Sequence, residues 1–189
     1  METIVHSTSI NALNNILKLG MLLDQNVRKY LLISQVGEGT NGRKVGHYTD
    51  ALNNPEFWKT VDEARGIFFR MGPVKQTADV QLIFSPKLLK QYPEYIFNTT
   101  ENYGFAIGQN GVEGESLLSG EPTISYWGKI PPKNILKNLD PNSTEILIPS
   151  SVNLDNLVAI KYKTQSLKDS RYIPLLKEIK EVVVTTPPL

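Results

Sequence analysis

His6-Ser7-Thr8-Ser9 sets an imidazole and three hydroxyls in four consecutive residues, directly after the apolar Ile4-Val5 and directly before a helical pattern that begins at Ile10. An imidazole can donate or accept a hydrogen bond near neutral pH, and hydroxyls do both. The first turn of a helix adds backbone N–H groups that lack intrahelical partners. Together they suit a polar ligand rich in hydroxyls and phosphates. The plain alternative for His6 is a structural histidine hydrogen-bonded at a strand end. Glu145 is a second candidate: it follows Pro141-Asn-Ser-Thr144 and opens the apolar run Ile146-Leu147-Ile148, so its carboxylate can face a cleft from a strand start. Glu113-Gly114-Glu115 is a third, with two carboxylates two residues apart between glycines. The plain reading of each acid is a solvated side chain. His47-Tyr-Thr49 repeats the His-x-Thr pattern of His6-Ser-Thr8. Two such motifs can work a phosphodiester, each His as acid or base and each Thr on the phosphate oxygens.

The elements that must hold these residues are legible around them. Ile10, Leu13, Ile16 and Leu17 recur at helical spacing. Ser9 or Thr8 can cap the first turn, and Gly20 can take the left-handed terminating position. Strands are expected at Tyr30–Val36, Gly66–Arg70, Val80–Phe84, Tyr95–Phe97, Tyr103–Ile107, Thr123–Trp127, Glu145–Ile148 and Val158–Tyr162. Helices are expected at Ala51–Ala64, over Lys87–Gln91 behind Ser85-Pro86, around Ile135 and Leu136, and over Leu167–Glu181 with Pro174 inside it. Met21-Leu22-Leu23 is a further apolar patch. Gly37–Gly46 and Gly108–Gly120 read as glycine-rich loops. An early helix and many short strands give an α+β class, with two packed mixed or antiparallel sheets and residues 1–189 as a single domain.

Composition narrows the function. The chain has 189 residues, enough to bury a substantial core, and a formal charge of +1, with no basic run of the kind that marks an electrostatic nucleic-acid binder. It has no cysteine, so disulfide and thiolate chemistry are excluded. Two histidines and no cysteine make a structural zinc site an unsuitable expectation, and no metal is expected. The N-terminus lacks a signal peptide's apolar centre and no run reaches membrane-spanning length. The expected setting is a cytoplasm, that of a host cell if the source is a virus or an effector, with no membrane partner.

Three segments together resemble the ADP-ribosyltransferase fold in its poly-ADP-ribose-polymerase-like and diphtheria-toxin-like branch. That family opens with an apolar strand ending His-Gly-Ser/Thr, then a helix patterned Leu-x-x-Ile-Leu-x-x-Gly-Leu. Val5-His6-Ser7-Thr8 and Leu13-Asn-Asn-Ile16-Leu17-Lys-Leu-Gly20-Met21 are similar. Its next strand begins Gly-Val/Ile-Tyr/Phe-Phe, as Gly66-Ile67-Phe68-Phe69 does here. Late in the chain a Glu opens a strand, and a polar-Asn-Leu segment leads into another. Glu145-Ile-Leu-Ile148, Val152-Asn153-Leu154 and Leu157–Tyr162 follow that order.

The resemblance implies an enzyme that takes NAD and moves its ADP-ribose to a protein or nucleic-acid acceptor, releasing nicotinamide. In that reading Glu145 stabilises the oxocarbenium-like transition state and His6 hydrogen-bonds a hydroxyl of the adenosine ribose. Thr8 orients the His or binds ribose, and Gly66, Phe68 and Phe69 line the cofactor cleft. Ser7 stands where the family often has Gly, so the backbone groups that meet the nicotinamide amide carry an extra side chain. The polymerase branch places a stacking Tyr about thirteen residues after the strand's Gly; counting from Gly66 reaches Asp79, which cannot stack. Phe69, Tyr103 or Phe105 are the candidate replacements. Arginine-modifying members carry Glu-x-Glu, which keeps Glu115 open as the catalytic residue beside the preferred Glu145. Two other functions stay open: a two-histidine phosphoesterase acting on a nucleotide or RNA end through His6 and His47, and a non-catalytic binding module on the same fold.

Overall fold

The computed structural model describes residues 3–24, 27, 66–75, 78–100, 111, 113–115, 122–163 and 182–185. Strand β1 (Thr3–Thr8) runs straight into helix α1 (Ile10–Leu19). The change is local: Ser9 adopts an extended backbone and its hydroxyl accepts from the Ala12 N–H at 3.1 Å, capping the first turn. Gly20, at φ 67°, closes the helix in the left-handed region. Its carbonyl accepts from Leu154 N at 3.2 Å, which ties the helix end to the far part of the chain.

The remaining described strands are β2 (Met21–Leu22), β3 (Ile67–Gly72), β4 (Val80–Phe84), β5 (Ile96–Asn98), β6 (Glu113–Glu115), β7 (Pro122–Trp127), β8 (Glu145–Ile148), β9 (Val152–Asn153), β10 (Leu157–Lys163) and β11 (Val182–Thr185). Short helices α2 (Lys87–Gln91) and α3 (Lys133–Leu136) complete the described elements. Nine strands form the order β11-β10-β4-β1-β3-β8-β5-β7-β6, and β2 pairs β9 in a two-stranded ribbon. Every ladder is antiparallel except β10 with β11. The α+β class and early helix are as expected. The two halves of the main sheet meet at a ladder of only three pairs, Thr3↔Gly72, Ile4↔Met71 and Val5↔Arg70.

One face of this sheet carries the main core. Ile4, Phe69, Leu82, Phe84, Phe97 and Ile146 come from five strands and are each at most 1% exposed. Helix α1 adds Leu13 and Ile16, which is where its apolar stripe goes. Phe69 meets Phe84 edge-on, with ring centroids 5.6 Å apart. The opposite face carries a smaller buried pair, Ile96 and Leu147.

Three expectations change. The glycine-rich stretch Gly108–Gly120 was expected to be loop, yet β6 lies inside it; Glu113↔Ile124 and Glu115↔Pro122 pair it to β7, and sheet context overrides weak strand propensity. The patch Met21-Leu22 is strand β2, registered on Val152 and Asn153. Val182–Thr185 is a strand beside β10, where no strand was expected. The expected elements at Tyr30–Val36, Ala51–Ala64, Tyr103–Ile107 and Leu167–Glu181 lie outside the described residues.

Gly66 precedes β3 where the chain passes close to β8. A Cβ there would collide with the carbonyl oxygen of Ile148. Because the obstacle is backbone, it has little room to yield. Gly66→Ala is expected to cost about 1–3 kcal/mol, the usual range for forced overpacking. A denaturant midpoint unchanged from the parent protein would refute this.

Candidate functional site

The main sheet opens where β1 leaves β3. Their ladder ends at Val5↔Arg70. Beyond it β1 continues along β4 through His6↔Leu82, Ser7↔Gln81 and Thr8↔Val80, while Ile67–Phe69 of β3 pairs with β8. Residues 6–8 and 67–69 therefore border a cleft. The His6 side chain crosses it: Nδ1 lies 2.8 Å from the Phe68 carbonyl oxygen. A carbonyl only accepts, so Nδ1 carries the proton and Nε2 of the neutral ring is the acceptor. The His6 ring sits 5.5 Å from that of Phe69, which is 1% exposed. Phe69 thus backs His6 from the core. Ser7 is half-buried, and Thr8, 1% exposed, is an interior hydroxyl.

Phe68 differs from its neighbour. It is 40% exposed although its strand lies in the middle of the sheet. Side chains alternate along a strand, so Phe68 lies on the face opposite Phe69. It pairs with Leu147 of β8, and Glu145 is two residues from Leu147 on the same face. Phe68 and Glu145 are therefore diagonal neighbours, roughly 7–8 Å apart at the backbone and within reach of long and aromatic side chains.

Glu145 is 8% exposed and stands between Thr144 and Ile146, both fully buried. Across β8 its partner is Asn98 of β5, and the partner of Asn98 on β7 is Ser125. The row Glu145–Asn98–Ser125 is buried throughout, and Ser125 Oγ donates to Asn98 Oδ1 at 2.6 Å. Asn98 did not emerge from the sequence; an Asn ending an apolar run looks like an ordinary turn residue.

The turn before Glu145 is tightly tied. Asp140 accepts from the Asn142 backbone N–H at 2.9 Å, the Asn142 side-chain amide at 3.0 Å and the Ser143 hydroxyl at 3.1 Å. Thr144 Oγ1 donates to the Pro141 carbonyl at 2.9 Å. From β3, Arg70 Nη1 donates to the Asn142 carbonyl, and from the segment after β3 the Lys75 N–H donates to Asn142 Oδ1 at 2.7 Å. The strand that borders the cleft thus also anchors the turn that delivers the carboxylate.

The other candidates fall elsewhere. Glu113 and Glu115 belong to β6, with β5 and β7 between it and β8, so about 14 Å of sheet width separates them from the Glu145 strand. Glu113 is exposed. His47, Tyr103 and Phe105 lie outside the described residues. Asp79 is described and half-buried. Among the described residues no helix is long and apolar enough to cross a membrane.

Residues 1–164 match the model of a family of unknown function, DUF5863. "Uncharacterized protein 422L" of Invertebrate iridescent virus 6 is 37% identical over 174 residues, covering 88% of this chain and 87% of its own. Among solved structures, DarT of Thermus sp. 2.9 in complex with NAD+ superposes with a TM-score of 0.55 at 13% identity, over 97% of this chain and 95% of that one. The same protein in complex with carba-NAD+ gives 0.53 at 13%, with the same coverage. The fold is ADP-ribosyltransferase-like.

The donors around Asp140, first the Asn142 backbone N–H and then its side chain, hold this carboxyl below the usual aspartate value of 3.8. A depressed folded-state pKa stabilises the fold when the group is charged. That contribution is fully present above the ordinary value, declines below it and is gone once the pH has fallen through the depressed one. Asp140→Ala is therefore expected to lower stability at neutral pH, with the gap to the parent protein closing in acid. Denaturant midpoints measured from pH 7 downward check this, and a gap independent of pH would contradict it.

Proposed function

We propose that this chain, which belongs to the DUF5863 family, is an NAD-dependent ADP-ribosyltransferase of the poly-ADP-ribose-polymerase-like and diphtheria-toxin-like branch. The observation that carries the reading is the parting of β1 from β3, bridged by His6 and set beside an exposed Phe68 with Glu145 diagonal to it on one face. DarT holds NAD+ on the same fold, which supports a dinucleotide in this cleft.

The residues present fit such a substrate. His6, its tautomer set by the Phe68 carbonyl, accepts a hydrogen bond from a ribose hydroxyl through Nε2. Ser7 offers backbone N–H and C=O to an amide. Phe68 supplies the flat apolar surface for the nicotinamide ring, a role the sequence alone left to Phe69, Tyr103 or Phe105. Glu145, delivered by the tied turn, places negative charge beside the ribose. The bond from nicotinamide nitrogen to ribose C1′ breaks, and its electron pair leaves with nicotinamide. The acceptor's nucleophile forms the new bond to C1′ and loses its proton to a base or to water. Positive charge gathers on the ribose as the old bond lengthens, and a fixed carboxylate lowers that barrier. The acceptor is a nucleophile of a protein or nucleic acid. NAD serves as a consumed substrate.

Two substitutions separate binding from turnover. Glu145→Gln keeps shape and removes charge, so NAD affinity should stay within a few-fold while nicotinamide release falls about 10²–10³-fold. Glu115→Gln should change little, since its strand lies far across the sheet from that of Glu145. His6→Ala should weaken NAD binding by about 1–3 kcal/mol. Calorimetry and nicotinamide release measure these. No NAD binding at millimolar concentration overturns the reading, and loss of turnover in Glu115→Gln alone reassigns the carboxylate.

A further inference from the structure

We infer that Asn98 is a positioning residue for Glu145: with its carboxamide oxygen held by Ser125, its N–H2 is the buried donor on the β8 side, available to the carboxylate across the ladder. The inference rests on the reading of Glu145 given above and extends it to a side chain that sequence motifs do not mark.

Strand order supplies the first argument. β5 lies between β8 and β7, and Asn98 is the register partner of Glu145 on one side and of Ser125 on the other. Directly opposed residues of an antiparallel pair share a face with Cβ atoms about 4.5–5.5 Å apart. A carboxamide there lies between both neighbours; it bonds Ser125, and its Nδ2 forms no hydrogen bond with the carboxylate.

Burial supplies the second. Asn98 is 0% exposed and Ser125 1%. Asn98 Oδ1 is held by the Ser125 hydroxyl at 2.6 Å, while Asn98 Nδ2 is buried with no partner. A buried amide donor left unmade is costly, and such groups call for a physical reason. With Oδ1 committed to the β7 side, Nδ2 is left for the β8 side, where Glu145 is the register partner. The flipped amide would set its oxygen against a carboxylate, acceptor against acceptor, so the charge of Glu145 favours the same sense.

The chemistry follows. A donated hydrogen bond favours the charged carboxylate and offsets its desolvation. It also fixes which oxygen is turned to the ribose. The other charged groups on flanking elements are Arg70, next in register on β3, and Asp140 in the preceding turn; β5 itself carries none. Thr123 provides a control. Its Oγ1 is also buried without a partner, but it is registered on Gly114 of β6, away from Glu145.

Asn98→Leu keeps the volume and removes the donor. The Glu145 carboxyl, followed by carbon NMR and assigned through Glu145→Gln, should then titrate about one unit higher than in the parent protein. Thr123→Val should leave it in place. With NAD as substrate, Asn98→Leu should lower kcat about 10- to 100-fold with KM within about threefold. Ser125→Ala removes only the hydroxyl that fixes the amide, and should move both readouts the same way by less. It carries the test if Asn98→Leu does not fold. Unchanged Glu145 titration and unchanged kcat in these variants overturn the inference while leaving the transferase reading intact. A parent protein that neither binds nor cleaves NAD overturns that reading and the catalytic role of Asn98 with it.

Discussion

The site depends on a ladder that stops. β1 and β3 share three pairs and then separate, each still held on its far side, by β4 and by β8. Backbone polar groups in the middle of a sheet are ordinarily consumed by neighbouring strands. Where an interior ladder ends, the chain presents them at a cleft wall without the exposure of a true edge strand. The His6 ring spans this opening to the Phe68 carbonyl. One hydrogen bond therefore sets the spacing of the walls and the tautomer of the imidazole. The two halves of the sheet need not be held apart by a separate domain; the register change does it.

The two faces of the sheet then divide the labour. One is apolar and takes α1. Phe69 belongs to it, touching both Phe84 and His6. The other face carries Phe68, Leu147, Ile96 and Trp127 in one row and Glu145, Asn98 and Ser125 in the next. An apolar row beside a buried polar row is a poor way to build stability, because buried polar groups cost free energy unless each finds a partner. It suits the proposed ligand, which has a flat ring at one end and hydroxyls beside it. The tied turn from Asp140 to Thr144 fits this view, since a buried carboxylate is useful only where its backbone cannot drift.

The sequence was most readable where local rules and global needs agree. Strand, cap and helix from Thr3 to Gly20 follow from apolar spacing, Ser9 and Gly20, and all three occur as expected. β8 begins at Glu145 because a turn-rich segment meets an apolar run. β6 was hidden because Glu-Gly-Glu has little strand propensity and forms only against β7. β11 was missed although Val182–Thr185 is a β-branched run suited to a strand; it directly follows the segment expected to be helical. The distinction between Phe68 and Phe69 was also invisible: adjacent aromatic residues on a strand take opposite faces, and only the register with β8 decides which ring meets the cleft. Asn98 escaped for the same reason, its meaning lying in what stands on either side of it.

Geometry also weighs the two candidate carboxylates against each other more firmly than motif spacing can. A group that stabilises developing charge must lie within a few ångströms of it, since its effect falls with distance and with every intervening water. The exposed Phe68 ring marks its face of the opening independently of any acid. From that cleft Glu145 is one strand away and on the face Phe68 occupies. Glu115 lies on β6, the outermost described strand of the same half-sheet, beyond β5 and β7. For Glu115 to act there, the ligand would have to cross two strands of sheet, past the Ile96 and Trp127 row. The register of β3 on β8 thus sets Glu145 diagonal to Phe68, and Gly66 supports that register, since a Cβ there would meet the Ile148 carbonyl.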